Sequence, residues 1–502
     1  MRRYATLLAV LALSATACSG DTGDSVTTSE QTTTSADTTA STSRAPSPTT
    51  GPSAGLTQPP DPPARTVGIG DEYFPQLGNP GFDVEHYTLD LVFEPEAARL
   101  GAVATIEATA VTNLDTFNLD FTDLTVSAVF VDGAAAGFTA ADEELTIAPA
   151  APLVAGEGFV IDVEYSGTPR STASAAIPFG IGWQTVGNQH YVAAEPDAAH
   201  SWFPANDHPL DKATYTFRIN VPDGVVAAAN GTLVDRLTDL GRVTWVWELD
   251  SPMASYLATV VIGDFDLVED PAAAEAAGVP IRHVLPAGTT VADWPGLERQ
   301  GEMLAFLAEQ FGPYPFDNYG IAIVDGLGAA LENQTLSLFD SNLARSAYFE
   351  DVLIHELAHQ WFGNSVSLAR WSDIWLNEGF ASYAEWLWIE SERGRDRMEQ
   401  LIAGERDNYD GAGLTAPGVP PAFDLFNRSV YRVGAMTLHA LRLTVGDQAF
   451  FEILRTYATT FADQSATTPD FIAIAESIAG VELDGLFEAW LIEPKVPNFP
   501  GG

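Results

Sequence analysis

The sequence predicts a multi-domain α+β protein, an antiparallel β-sandwich or saddle followed by a mostly α-helical domain. Three observations carry this. Short runs with period-two apolar alternation recur between residues 87 and 249. Apolar residues at helical spacing take over from about residue 300. The chain has 502 residues, 46% of them apolar, enough for two or three domains and a large core. Lys plus Arg number 23 against 68 Asp plus Glu, a formal charge of −45. Nucleic acid is thereby excluded as a partner, because phosphate contacts need clustered cations. The acidity suits a soluble surface, or a negative field that favours the cationic ends of peptides.

The first residues are an address rather than a fold. Met1-Arg2-Arg3 precedes an apolar run over 4–13, too short to span a bilayer as a mature helix. Ala15-Thr16-Ala17-Cys18 then resembles a bacterial lipoprotein signal, although Ala15 stands where leucine is usual. That reading makes 1–18 the signal peptide. Cys18 becomes the lipidated residue, anchoring the protein to the outer face of a bacterial cell membrane. A plain secretory peptide with an incidental cysteine is the alternative. Cys18 is the only cysteine, so no disulfide framework is expected. Residues 19–66 are rich in Ser, Thr and Pro, bury little apolar area and read as a disordered tether.

Residues 67–265 read as the β domain. Tyr87, Leu89, Leu91 and Phe93 alternate with polar residues, and so do Phe159, Ile161, Val163 and Tyr165. Tyr215, Phe217, Ile219 and Val221 repeat the pattern, as do Val243, Trp245, Trp247 and Leu249. Each run predicts a strand buried on one face. His200 and His208 have no partner at metal-binding spacing and are read as structural or surface residues.

Residues 266–502 read as the helical domain. Met303, Leu304, Leu307, Ala308 and Phe311 share one helical face, which stops at Gly312-Pro313. Ile321-Ala322-Ile323-Val324 reads as a buried strand. The stretch 352–363 then carries His355-Glu356-Leu357-Ala358-His359. Histidines four apart lie one above the other on a helix, where both imidazoles can reach one zinc ion at about 2.0–2.1 Å. Glu356 is offset around the axis, able to face a water instead of the metal. On its own this motif can be a solvated stripe on an ordinary helix. Eighteen residues separate His359 from Glu378, in Asn377-Glu378-Gly379-Phe380-Ala381, which offers a third ligand. Glu385 shares the face of Glu378 and reads equally as a carboxylate orienting a histidine or as a solvent-facing residue. Trp361, Trp371, Trp375, Trp386 and Trp388 are read as core. Further amphipathic helices are expected over 435–444, 447–461 and 469–490.

With His-Gln-Trp-Phe-Gly-Asn and Trp-Leu-Asn-Glu-Gly-Phe-Ala-Ser-Tyr around these ligands, the chain resembles the aminopeptidase N family of zinc metallopeptidases. The resemblance implies a thermolysin-like catalytic domain and one Zn2+ on His355, His359 and Glu378, with Glu356 as general base. Gly328-Ala329-Ala330-Leu331-Glu332-Asn333 is similar to the family's Gly-Ala-Met-Glu-Asn, with Ala329 for Gly and Leu331 for Met. It implies that Ala330, Glu332 and Asn333 line the substrate and that Glu332 binds its free α-amino group. Val430-Tyr431-Arg432-Val433-Gly434-Ala435 matches another family word, making Tyr431 the donor to the oxyanion. Trp202-Phe203-Pro204 and Asp207-His208-Pro209 resemble the family's N-terminal domain. Ala193 departs from it, because many relatives place a glutamine there to line the side-chain pocket. The chain ends soon after Trp490-Leu491, so a two-domain short form is expected. The reading is a zinc aminopeptidase acting on peptides with a free N-terminus, of open oligomeric state. An endopeptidase on the same zinc chemistry and a silent peptide-binding lipoprotein remain the alternatives.

Overall fold

The computed structural model describes residues 68–409 and 415–500. The stretches expected to be a signal peptide and a tether, Cys18 among them, lie outside the described residues. The alternating runs become strands, and their apolar halves turn inward: Leu89, Phe93, Ile161, Val163, Phe217 and Ile219 are all buried. Burying each such side chain stabilises by roughly 1.5–3 kcal/mol relative to leaving it in water.

These strands build an eight-stranded sheet in which Arg242–Ala254, Lys212–Pro222, Phe82–Glu94, Arg99–Ala110 and Gly158–Gly167 are successive neighbours. A five-stranded sheet containing Gln189–Ala193 and Gly180–Val186 faces it. The Phe93 ring bridges the two layers, 5.0 Å from Trp183 and 4.8 Å from His190. One pairing differs from the all-antiparallel expectation. Phe82–Glu94 runs parallel to Lys212–Pro222, with Tyr87 opposite Tyr215 and Leu89 opposite Phe217. The two strands are joined by a long excursion through the rest of the sandwich, as a parallel pair requires.

Beyond residue 265 a mixed sheet places Phe265–Glu269, Arg282–Pro286, Ile321–Val324, Ser337–Asp340 and Ala330–Leu331 side by side. Ile321–Val324 is buried throughout and pairs in parallel with Ser337–Asp340. Ala330–Leu331 forms the edge. Helix Gln300–Phe311 buries Met303, Leu304, Leu307 and Phe311, and its last turn is closed by Gly312 at φ 103°. Three further helices carry the chemistry: Phe349–His359, Trp375–Arg393 and Arg428–Val445. Helix Thr468–Ala479 opens on a capping box, the Thr467 hydroxyl and the Asp470 carboxylate each bonding the other's backbone. The five tryptophans read as core are all buried. Among the described residues no helix is long and apolar enough to cross a membrane.

The seam between the β-rich and helical parts carries several polar contacts. Asp71 accepts the Trp371 N–H at 2.9 Å and faces His208 Nε2 at 3.3 Å. Lys212 is half-buried and donates to the carbonyls of Asn364 and Ser365, each at 2.9 Å. His200 pairs with Asp207 at 2.7 Å. Both His200 and His208 are therefore structural residues of the interior, not of the surface.

Candidate active site

The helix Phe349–His359 forms because Phe349, Leu353, Ile354, Leu357 and Ala358 give it an apolar stripe. Glu350 and Asp351 sit in its first turn, where carboxylates complement the helix dipole. The chain then turns sharply through Gly363 at φ 127°, where a Cβ would press 3.3 Å from His359 Nδ1 and Asn377 Nδ2. Glu378 lies in the first turn of Trp375–Arg393. Tyr431 lies in the first turn of Arg428–Val445, whose Asn427 cap accepts the Ser429 N–H at 3.0 Å. The last two helices cross at glycine. A Cβ on Gly379 would stand 2.9 Å from the Gly434 carbonyl carbon, so only bare backbone fits on both sides.

These elements bring His355, His359 and Glu378 together, one donor atom from each lying within 4.8 Å of the others. Glu378 Oε2 is 3.3 Å from His355 Nε2 and 3.6 Å from His359 Nε2. The opposite ring nitrogens are already committed. His355 Nδ1 meets Glu385 Oε1 at 2.9 Å, and His359 Nδ1 meets the Phe362 carbonyl at 3.1 Å. With hydrogens held on both Nδ1 atoms, both Nε2 lone pairs face the Glu378 oxygen. Three buried donors turned on one another require a cation or protons between them, and two imidazoles with one carboxylate suit zinc.

The electrostatics say the same. Burial alone would lower His355, but its bonds to Glu378 and Glu385 push it up to about 10. Burial works against ionised Glu378, yet the His359 charge and the bonds from both rings hold it down to about 2. Glu356 goes the other way. Burial raises it to about 8, with Glu332 and Glu378 adding to the rise and both histidines opposing it. A carboxylate whose proton affinity is raised by burial thus stands beside the donor set. The Tyr431 ring stacks on His355, centroids 6.0 Å apart at 17°. Burial and the surrounding carboxylates keep its phenol well above its ordinary range, so it stays a neutral donor.

Glu332 follows the edge strand Ala330–Leu331, in which Ala330 lies opposite Phe339. Its carbonyl accepts Gln360 Nε2 at 3.0 Å and Asn364 Nδ2 at 2.7 Å. The Gln and Asn of His-Gln-Trp-Phe-Gly-Asn thus brace this segment against the histidine helix. Asn333 Nδ2 donates to the Leu257 carbonyl at 3.0 Å and ties the same segment to the β-rich part, while its Oδ1 has no partner among the described residues. The carboxylate of Glu332 is buried and leaves Oε1 without a partner among the described residues.

Glu195 is the site residue the sequence reading passed over. It follows strand Gln189–Ala193 of the β-rich part, yet its carboxylate lies with those of Glu332 and Glu378, one oxygen of each within 4.8 Å of the others. Its Oε1 is likewise unpartnered, and burial, then the Glu332 charge, raises it well above the carboxylate range. The signal was an acidic residue ending the otherwise apolar Tyr191-Val192-Ala193-Ala194. Glu385 faces His355 rather than solvent. Arg432, also unforeseen, donates to its second oxygen at 2.8 Å.

Buried histidines and glutamates converging on one point, beside a further carboxylate and a phenol, are the side chains of a metallohydrolase. Family comparison gives the particular branch. The Peptidase family M1 domain matches residues 296–490 and the Peptidase M1 N-terminal domain matches 83–257. The chain belongs to peptidase family M1. It is 29% identical to Aminopeptidase M1-A of Oryza sativa subsp. japonica, over 62% of this chain and 37% of that protein. It is 29% identical to Aminopeptidase B of Rattus norvegicus, over 64% of this chain and 53% of that one. It therefore spans between about a third and a half of the length of these curated relatives. A crystal structure of an M1 zinc metallopeptidase from Deinococcus radiodurans matches with a TM-score of 0.79 and 32% identity, covering 86% of this chain and 98% of that one. A mutant from the same organism, bound to a Tyr-Ser-Ala substrate, matches with a TM-score of 0.78 and 32% identity, over 86% of this chain and 99% of that one.

Proposed function

We propose that the protein is a zinc-dependent aminopeptidase that removes residues from the free N-terminus of peptides. One observation carries the reading: Glu195 and Glu332 bury unpartnered oxygens beside the donor set, one from each structural part. An α-ammonium placed between them would satisfy both. A chain continuing past that point would put a neutral amide there and leave two buried carboxylates uncompensated, a cost of several kcal/mol by general desolvation arguments. The Tyr-Ser-Ala substrate of the Deinococcus radiodurans relative supports a peptide substrate for this chain.

His355, His359 and Glu378 would hold the zinc. When bound, it supplies a Lewis acid that polarises the scissile carbonyl and acidifies the attacking water. Glu356 takes the proton of that water as its oxygen bonds to the carbonyl carbon, and delivers it to the leaving nitrogen as the C–N bond breaks. Tyr431 donates its O–H to the carbonyl oxygen as negative charge develops there, gaining strength only in the transition state. Gln360 and Asn364 keep Glu332 at the distance from the scissile bond that selects a single terminal residue.

The test compares a peptide with its N-acetylated copy. The free peptide is expected to be cleaved and the acetylated one spared. Equal rates would show an endopeptidase instead.

We infer further that Cys18 carries a lipid and that 19–66 spaces the folded part from the outer face of a bacterial membrane. The charged and apolar leader before a lone cysteine supports this. Cys18→Ala is expected to move the protein from the membrane fraction to the soluble one; a variant still in the membrane fraction would refute the anchor.

A further inference from the structure

We propose that Arg432 is a positioning residue for the metal: by clamping one oxygen of Glu385 it fixes the other on His355, and so sets the affinity of the His355, His359 and Glu378 donors for zinc. The geometry places one glutamate on each side of the His355 ring. Glu378 and Glu385 lie two turns apart on Trp375–Arg393, so both project from the same face. The first meets Nε2 at 3.3 Å and the second meets Nδ1 at 2.9 Å. The ring's orientation and tautomer therefore depend on where Glu385 points.

Glu385 cannot hold that direction alone. It is buried, 7% exposed, and His355 offers it a single N–H. Its second oxygen is taken by Arg432 Nη1 at 2.8 Å, and Arg432 is itself only 6% exposed. With both oxygens engaged on opposite sides, the carboxylate has one orientation. Arg432 follows Tyr431 in the chain, and successive helical residues diverge around the axis. Tyr431 stacks on the His355 ring while Arg432 reaches behind it to Glu385. One helical turn thus supplies both the phenol and the clamp. Groups that hold a ligand's partner in place act on metal affinity through it, and loss of such a partner commonly costs about 10- to 100-fold.

A purely structural pair would behave differently. Removing the arginine alone would then cost stability by leaving Glu385 buried and unpaired, while metal affinity would not move. The experiment measures zinc affinity of the full chain by chelator competition, with the visible spectrum of the cobalt-substituted protein as a second readout. Arg432→Met is expected to weaken zinc binding about 10- to 100-fold and to alter the cobalt spectrum. Arg432→Lys, which restores a buried cation, is expected to recover part of the loss. In a double-mutant cycle, Arg432→Met on the Glu385→Gln background should add little further, because the effect runs through Glu385. Should Met at this position prevent folding, Arg432→Gln takes its place in the cycle. Zinc affinity and cobalt spectrum unchanged by loss of the arginine, or losses that simply add across the cycle, would overturn the proposal. None of these readouts involves peptide cleavage, so they stand apart from the aminopeptidase assignment.

Discussion

Two buried clusters of ionisable groups, one in the β-rich part and one in the helical part, are arranged in opposite ways. In the first, His200 meets Asp207, and Asp207 also receives the Ser255 hydroxyl at 2.6 Å. In the helical part Glu332, Glu356 and Glu378 crowd two histidines, with Glu195 added across the seam. Oxygens of Glu195 and Glu332 are left over. The first arrangement closes on itself and stabilises the fold. The second leaves donor atoms and buried oxygens that a cation and a substrate amine would satisfy, which is how a binding site differs from a core.

The sharpest way to break this contrast is at Glu356. Glu356→Gln should keep its zinc, measured by elemental analysis, and lower kcat by about 10²–10⁴-fold. Its melting temperature should not fall, because one buried carboxylate is removed. Full turnover in that variant would mean Glu356 is not the base. Next in size is the glycine crossing. Gly379→Ala drives a methyl into the Gly434 backbone. It should cost about 1–3 kcal/mol of stability and move Glu378 relative to Tyr431, lowering kcat as well. A variant with wild-type melting temperature would show that the two helices give way freely. The smallest effect should come from the self-contained pair. Burial alone would lower His200, but Asp207 pushes it up to about 9 from its ordinary 6.5. A group raised on folding contributes stability fully below about 6.5 and loses it as pH rises through about 9. Melting temperature should therefore decline across that window, and Asp207→Asn should flatten the decline. An unchanged slope in Asp207→Asn would assign it elsewhere.

How far the sequence reached follows the same division. Period-two runs announced which residues of the β-rich part face inward, because alternation is a property of the strand itself. They could not announce that Phe82–Glu94 runs parallel to Lys212–Pro222, since alternation reads alike in both directions. In the helical part His355, Glu356, His359 and Glu378 were legible because they lie at helical spacings on consecutive helices. Glu332 and Tyr431 came from family words. Glu195 was missed because its relation to the site exists only after the two parts pack together, and nothing near it in the chain repeats or spaces it. Arg432 stood in a recognised word, but its partner Glu385 lies on another helix, and local pattern cannot report such a pairing.

Glu195 and Lys212 have a consequence for how such a chain can change over generations. The β-rich part supplies a carboxylate beside the donor set and a half-buried amine that steadies the turn after the histidine helix. An exchange of gene segments at the seam would therefore transplant part of the recognition apparatus along with the scaffold. The two parts are obliged to be inherited as a matched set, and a hybrid with a foreign front half would announce itself by tolerating blocked termini.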